Sequence, residues 1–106
     1  MRGAPRSQRN PRGARRVDPV VHVDFYSSSF CAPCAAARGV LDEAARLIPQ
    51  LEIVERNVAQ HPDAADADRI GSTPTLIVRA SDGAEVYRAE GVPTVNQLLV
   101  ALARAV

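Results

Sequence analysis

The sequence predicts an α/β fold, a four-stranded mixed sheet with helices on both faces, in the order β-α-β-α-β-β-α. Three observations predict it. An apolar, β-branched run at residues 20–26 is followed by an alanine-rich helical pattern and then by a second alternating run at 51–58, the arrangement of a right-handed crossover between parallel strands. Ala80-Ser81-Asp82-Gly83 joins two further short strands with Asp-Gly at its tip, the mark of an antiparallel hairpin. Thr94 and Gln97 then form a capping-box pattern before an amphipathic stretch.

Taken in order, residues 20–26 place Val21, Val23 and Phe25 on one face and Val20, His22, Asp24 and Tyr26 on the other. Both faces are largely apolar, as in a central strand covered on each side. Asp24 is therefore expected in an apolar setting that raises its pKa, as a candidate proton acceptor for a nearby thiol or else as a solvent-touching strand end. His22 is read as a satisfied strand histidine before a group that tunes a thiol. Residues 31–48 read as a helix on Cys34, Ala37, Leu41, Ala44, Ala45 and Ile48, stopped by Pro49. The strand at 51–58 sets Leu51, Ile53 and Glu55 against Glu52, Val54 and Arg56. A short acidic helix is expected over 60–70, opening at Pro62 and Asp63, with Asp63, Asp66 and Asp68 as a solvated face. Pro74, which has no N–H to give a ladder, must stand at the first residue of the next strand or in a cis turn. That strand covers 76–79, and its return covers 84–89. Gly91 breaks the chain, and the last helix uses Val95, Leu98, Leu99, Leu102 and Val106.

The chemistry lies in Phe30-Cys31-Ala32-Pro33-Cys34, which contains both cysteines. Two cysteines at i and i+3 in a first helical turn share a face and can be bridged, so the pair can cycle between dithiol and disulfide. Backbone N–H groups without intrahelical partners, and the positive end of the helix dipole, favour a thiolate at Cys31. A free thiol ionises near pH ~8.5, and such settings lower this to about 3.5–7.5. Cys31 is the candidate nucleophile, and Cys34, one turn deeper, the candidate resolving thiol. Pro33 fits an early helical position and stiffens the loop. A bridge closing so short a loop would add little stability. Zinc wants four ligands, and beyond the cysteines only His22 and His61 remain to join them, at unsuitable spacing. A metal or iron-sulfur binding module and a non-catalytic adaptor are the alternatives to redox chemistry.

With 106 residues the chain holds one domain at most. Six arginines precede the first acid, Asp18, while residues 17–106 hold seven arginines against twelve acids, a net of −5. Residues 1–16 carry no apolar periodicity and are expected to be a disordered arginine-rich tail ahead of a domain at 17–106. Without interleaved aromatics the tail is not expected to bind nucleic acid. No apolar stretch reaches the ~20 residues of a membrane span and no secretory signal is read, so a cytoplasmic location is expected. In that compartment a lone C-x-x-C is catalytic or metal-binding more often than structural.

The element order, Val23-Asp24-Phe25-Tyr26 leading to Cys31-Ala32-Pro33-Cys34, and the later Thr73-Pro74-Thr75 together resemble the thioredoxin-like superfamily over residues 20–106. The resemblance implies a thiol-disulfide oxidoreductase that reduces protein or small-molecule disulfides without a cofactor or metal. It matches Cys31 to the attacking cysteine, Cys34 to the resolving one, Pro74 to the cis-proline against the disulfide, Asp24 to the buried acid and Gly91 to the glycine beside the substrate groove. Thr73 and Thr75 would flank an extended substrate, with Phe30, Ala32 and Pro33 on the same surface. Disulfide-containing proteins are the implied substrates, a thioredoxin-reductase-like or glutathione-based system the reductant, and a monomer the expected state. Several residues depart from the pattern. Phe30 stands for a tryptophan and Ala32 for a glycine, the loop from Asp24 to Cys31 is one residue longer, and Glu55 takes the place of the lysine that partners the acid. The first strand and helix are not matched, leaving a glutaredoxin-sized core without glutathione-holding segments.

Overall fold

The computed structural model describes residues 20–106; the arginine-rich tail expected at 1–16 lies outside them. The elements follow the predicted order: β1 (Val21–Ser27), α1 (Ala32–Leu47), β2 (Leu51–Asn57), α2 (Pro62–Ala67), β3 (Thr75–Arg79), β4 (Glu85–Glu90) and α3 (Val95–Arg104). They build one four-stranded sheet in the order β2-β1-β3-β4. β1 runs parallel to β2, with Val21 opposite Leu51 and Phe25 opposite Glu55. β1 and β3 are antiparallel, as are β3 and β4.

The main core forms where β1 and β3 present Val21, Val23, Phe25, Leu76 and Val78 to α1 and α3. α1 contributes Cys34, Ala37, Leu41 and Ala44 at helical spacing. α3 uses Leu98, Ala101 and Leu102, joined by its C-cap Ala105, whereas Val106, expected in the stripe, is exposed. Val106 lies past the helix end. The capping box of α3 is present, the Thr94 hydroxyl accepting from Gln97 N–H and the Gln97 side chain accepting from Thr94 N–H.

The opposite face carries a small cluster in which Ala65 of α2 packs with Tyr26 of β1 and Ile77 of β3. α2 is shorter than predicted, because Arg69 adopts positive φ (54°) just after it. Asp68 is not part of a solvated face. It accepts from the Tyr26 hydroxyl at 2.6 Å and from Arg79 at 2.9 Å, which ties the end of α2 to the sheet. In the hairpin, Gly83 takes φ 90°, its N–H donates to Ala80 C=O, and Asp82 accepts from Ala84 N–H.

Candidate active site

The cysteine pair stands where β1 ends and α1 begins. Cys31 is the N-cap of α1 and takes an extended conformation (φ −110°, ψ 103°), so it precedes the first turn and does not lie within it. Its sulfur accepts a hydrogen bond from Cys34 N–H at 3.1 Å, using a donor that the helix leaves free. The two cysteines are joined by a disulfide with their Cα atoms 5.1 Å apart. Cys31 is partly exposed and Cys34 is buried in the main core. An incoming sulfur can therefore reach one partner only.

The residues that flank Cys31 in the chain, Phe30, Ala32 and Pro33, are uncharged. Phe30 is fully exposed and adopts φ 56°, so it does not pack beneath the loop. Ala32 and Pro33 are exposed beside it. The Thr73–Pro74 peptide bond is cis, and Pro74 is buried immediately before β3. Gly91 takes φ 113° and donates its N–H to Pro74 C=O at 2.8 Å. Thr75 is buried in the sheet between Tyr26 and Glu90, its hydroxyl donating to Ser72 C=O. Thr73 is only partly buried and shares a 2.7 Å hydrogen bond with the Ser28 hydroxyl. This contact brings the proline loop to the cysteine loop.

Each serine of the Ser27-Ser28-Ser29 run has a separate partner: Ser27 donates to Glu55, Ser28 meets Thr73 and Ser29 accepts from Asn57. The loop that is one residue longer is thus tied to two elements. The sequence showed three small polar residues but nothing of which partner each would meet.

Asp24 differs from its expectation in both place and ionisation. Alternation along β1 sends its side chain to the face of Tyr26 and α2, while Cys34 packs with Val23 and Phe25 on the other. Asp24 accepts from Arg56 at 2.6 Å, from Arg79 at 2.8 Å and shares a 2.8 Å contact with His22. Burial opposes its charge, but the bonds to Arg79, Arg56 and His22 prevail and the carboxyl is lowered from 3.8 to about 2. Sequence reasoning weighed the apolar neighbours of Asp24 and missed Arg56 and Arg79, which reach it from β2 and β3. His22, bound to Asp24 and Glu52, also faces away from the thiols.

The acid on the cysteine face is Glu55. It accepts from Ser27 at 2.8 Å and from Arg38 through both Nε (3.0 Å) and Nη2 (2.6 Å). These Arg38 bonds, opposed by burial and aided by Ser27, hold its carboxyl below the ordinary glutamate range. Among the described residues, no group of three His, Cys, Asp or Glu side chains is placed to hold a metal. No helix there is long and apolar enough to cross a membrane.

Comparison with known proteins gives the same picture. The thioredoxin family model matches residues 14–104. The thioredoxin of Chlamydia trachomatis is 31% identical over 80 residues, covering 76% of each chain. That of Mycoplasma genitalium is 37% identical over 71 residues, covering 67% of this chain and 68% of its own. The solved structure of Fasciola hepatica thioredoxin superposes with a TM-score of 0.72 at 25% identity, covering 82% of each chain. The sheet, the Cys31–Cys34 bridge capping α1 and these likenesses converge: the chain belongs to the thioredoxin family and is a disulfide-reducing thiol-disulfide oxidoreductase.

Proposed function

We propose that Cys31 is the attacking thiol and Cys34 the resolving one in the reduction of protein disulfides. The observation that carries this reading is the unequal exposure of two bridged sulfurs, with Cys31 capping α1 at the surface and Cys34 buried. In the reduced protein, the Cys34 N–H and the dipole of α1 favour a thiolate at Cys31. This thiolate attacks a substrate disulfide R–S–S–R′, forms Cys31–S–S–R and expels R′–S⁻. Cys34 then loses its proton and attacks the Cys31 sulfur, and R–S⁻ leaves. Two electrons pass to the substrate, and the Cys31–Cys34 bridge remains. A thioredoxin-reductase-like or glutathione-based dithiol partner restores the thiols.

Phe30, Ala32 and Pro33 give the docking surface an apolar edge. Thr73, with Pro74 behind it and Gly91 beside it, offers backbone to an extended substrate segment. Thr75 supports that loop from within the sheet. We place the protein in the cytoplasm, as a monomer, where reduction is the favoured direction.

The test is turnover of insulin disulfides driven by a small dithiol, with Cys31→Ser and Cys34→Ser alongside. Activity should vanish in both variants, and a mixed disulfide should accumulate only in Cys34→Ser. Turnover by wild type no faster than the dithiol alone would end this reading.

A further inference from the structure

We propose that Ser27 and Glu55 form the proton-accepting pair that serves Cys34 when it resolves the mixed disulfide. The proposal rests on Cys34 being the resolving thiol. Cys34 is 1% exposed and surrounded by apolar side chains, so it must hand its proton to the protein. Asp24 cannot receive it, being on the other face and held by two arginines.

The groups on the cysteine face of the sheet can be taken element by element. β1 gives Val21, Val23, Phe25 and Ser27, and β3 gives Leu76 and Val78. α3 gives Leu98, Ala101 and Leu102, and β4 brings Val86, Tyr87 and Ala89 to the rim. β2 gives Leu51, Ile53 and Glu55. α1 itself adds Arg38, with Asp42 one turn further along the helix. Glu55 is thus the one strand carboxylate on this face among the described residues.

Register places Ser27 under Cys34. β1 and β2 are parallel, so the helix joining them returns antiparallel to both. The Arg38 guanidinium lies over the Phe25 ring, 5.6 Å from its centre. From Phe25 to Ser27 the strand advances about 6.6 Å. From Arg38 back to Cys34 the helix covers about 6 Å in the same direction. The Ser27 hydroxyl is therefore the first polar side chain on β1 that Cys34 meets. It donates its single proton to Glu55, which leaves its lone pairs free to accept.

The step balances. The Cys34 proton passes to Ser27 Oγ, directly or across one water, as the Ser27 proton moves to Glu55. The Cys34 sulfur bonds to Cys31 Sγ, the Cys31–substrate S–S bond breaks, and the substrate leaves as a thiolate. Cys34 is oxidised and the substrate sulfur is reduced. Glu55, partly open to solvent, returns the proton to water, from which the leaving thiolate is protonated. Arg38 positions the carboxylate through two hydrogen bonds and holds it ionised between turnovers, ready to accept.

The test follows an aromatic disulfide that releases a coloured thiol twice, once on attack by Cys31 and once on resolution by Cys34. In Ser27→Ala and Glu55→Gln the second release should slow at least about tenfold near neutral pH, with the first unchanged, and should rejoin wild type at alkaline pH, where Cys34 ionises without help. Ser27→Ala leaves the Arg38–Glu55 pair in place, so it isolates the relay. In Glu55→Gln an unopposed Arg38 would speed the second release if charge alone mattered. A second release unchanged or faster in either variant overturns the proposal, as does one slowed equally at every pH. If wild type gives no second release, or Cys34→Ser still gives one, the assignment of Cys34 fails first.

Discussion

The two faces of the sheet are built from alternate residues of one strand, yet they are held by different forces. On the cysteine face Val21, Val23 and Phe25 meet two helices of 16 and 10 residues in an apolar core. On the other, a six-residue helix sets Ala65 over Tyr26 and Ile77, and charge occupies much of the remainder. Arg56 lies 6.0 Å from the Tyr26 ring centre and Arg38 5.6 Å from that of Phe25, but Arg56 points to a buried carboxylate, whereas Arg38 points to a half-open one. Strand parity alone divides the roles. Asp24 holds the fold together, and the face with the redox chemistry keeps its acid on a neighbouring strand.

The largest effects should come from a matched pair of truncations. Phe25→Ala leaves a cavity on the cysteine face, and Asp24→Ala strands Arg56 and Arg79 on the other; each should cost about 3–5 kcal/mol near neutral pH in denaturant unfolding. Repeating both at pH ~2 separates the faces, since the Asp24 deficit should shrink and that of Phe25 persist. A deficit in Asp24→Ala that does not change with pH would dissolve the contrast.

The wild type should show the same linkage more weakly. The folded Asp24 carboxyl lies at about 2 against an ordinary 3.8, so its contribution is fully present above pH 3.8 and disappears as pH falls through 2. That difference corresponds to about 2 kcal/mol, readable as the pH dependence of stability lost in Asp24→Asn. Next is Tyr26→Phe, which removes the bond to Asp68. Burial and that bond push the Tyr26 hydroxyl up to about 12. The variant should lose about 1.5 kcal/mol with insulin reduction unchanged, and a loss of turnover would show that the two faces communicate. Smallest is Thr94→Ala, which opens one capping bond of α3 for about 1 kcal/mol, measured by thermal unfolding.

Much of this was legible early because it is local. The periodicity of Cys34, Ala37, Leu41 and Ala44, the Asp82-Gly83 tip and the Thr94 cap each need only a few neighbouring residues to act. The boundary residues were less legible. By spacing Val106 fits the last stripe, and by its acidic neighbours Asp68 fits a solvated face. Neither reading could include the helix end or the Tyr26 hydroxyl 42 positions away.

By itself the sequence determined the element order, the two faces of β1 and the placing of two cysteines, one turn apart, at the start of a helix. Backbone geometry and side-chain periodicity suffice for these. Only the tertiary structure decided which acid stands on the cysteine face. The answer depends on the β1–β2 register, which sets Glu55 opposite Phe25, and on arginines arriving from three different elements. The energies of such charges depend on distances that no linear spacing encodes.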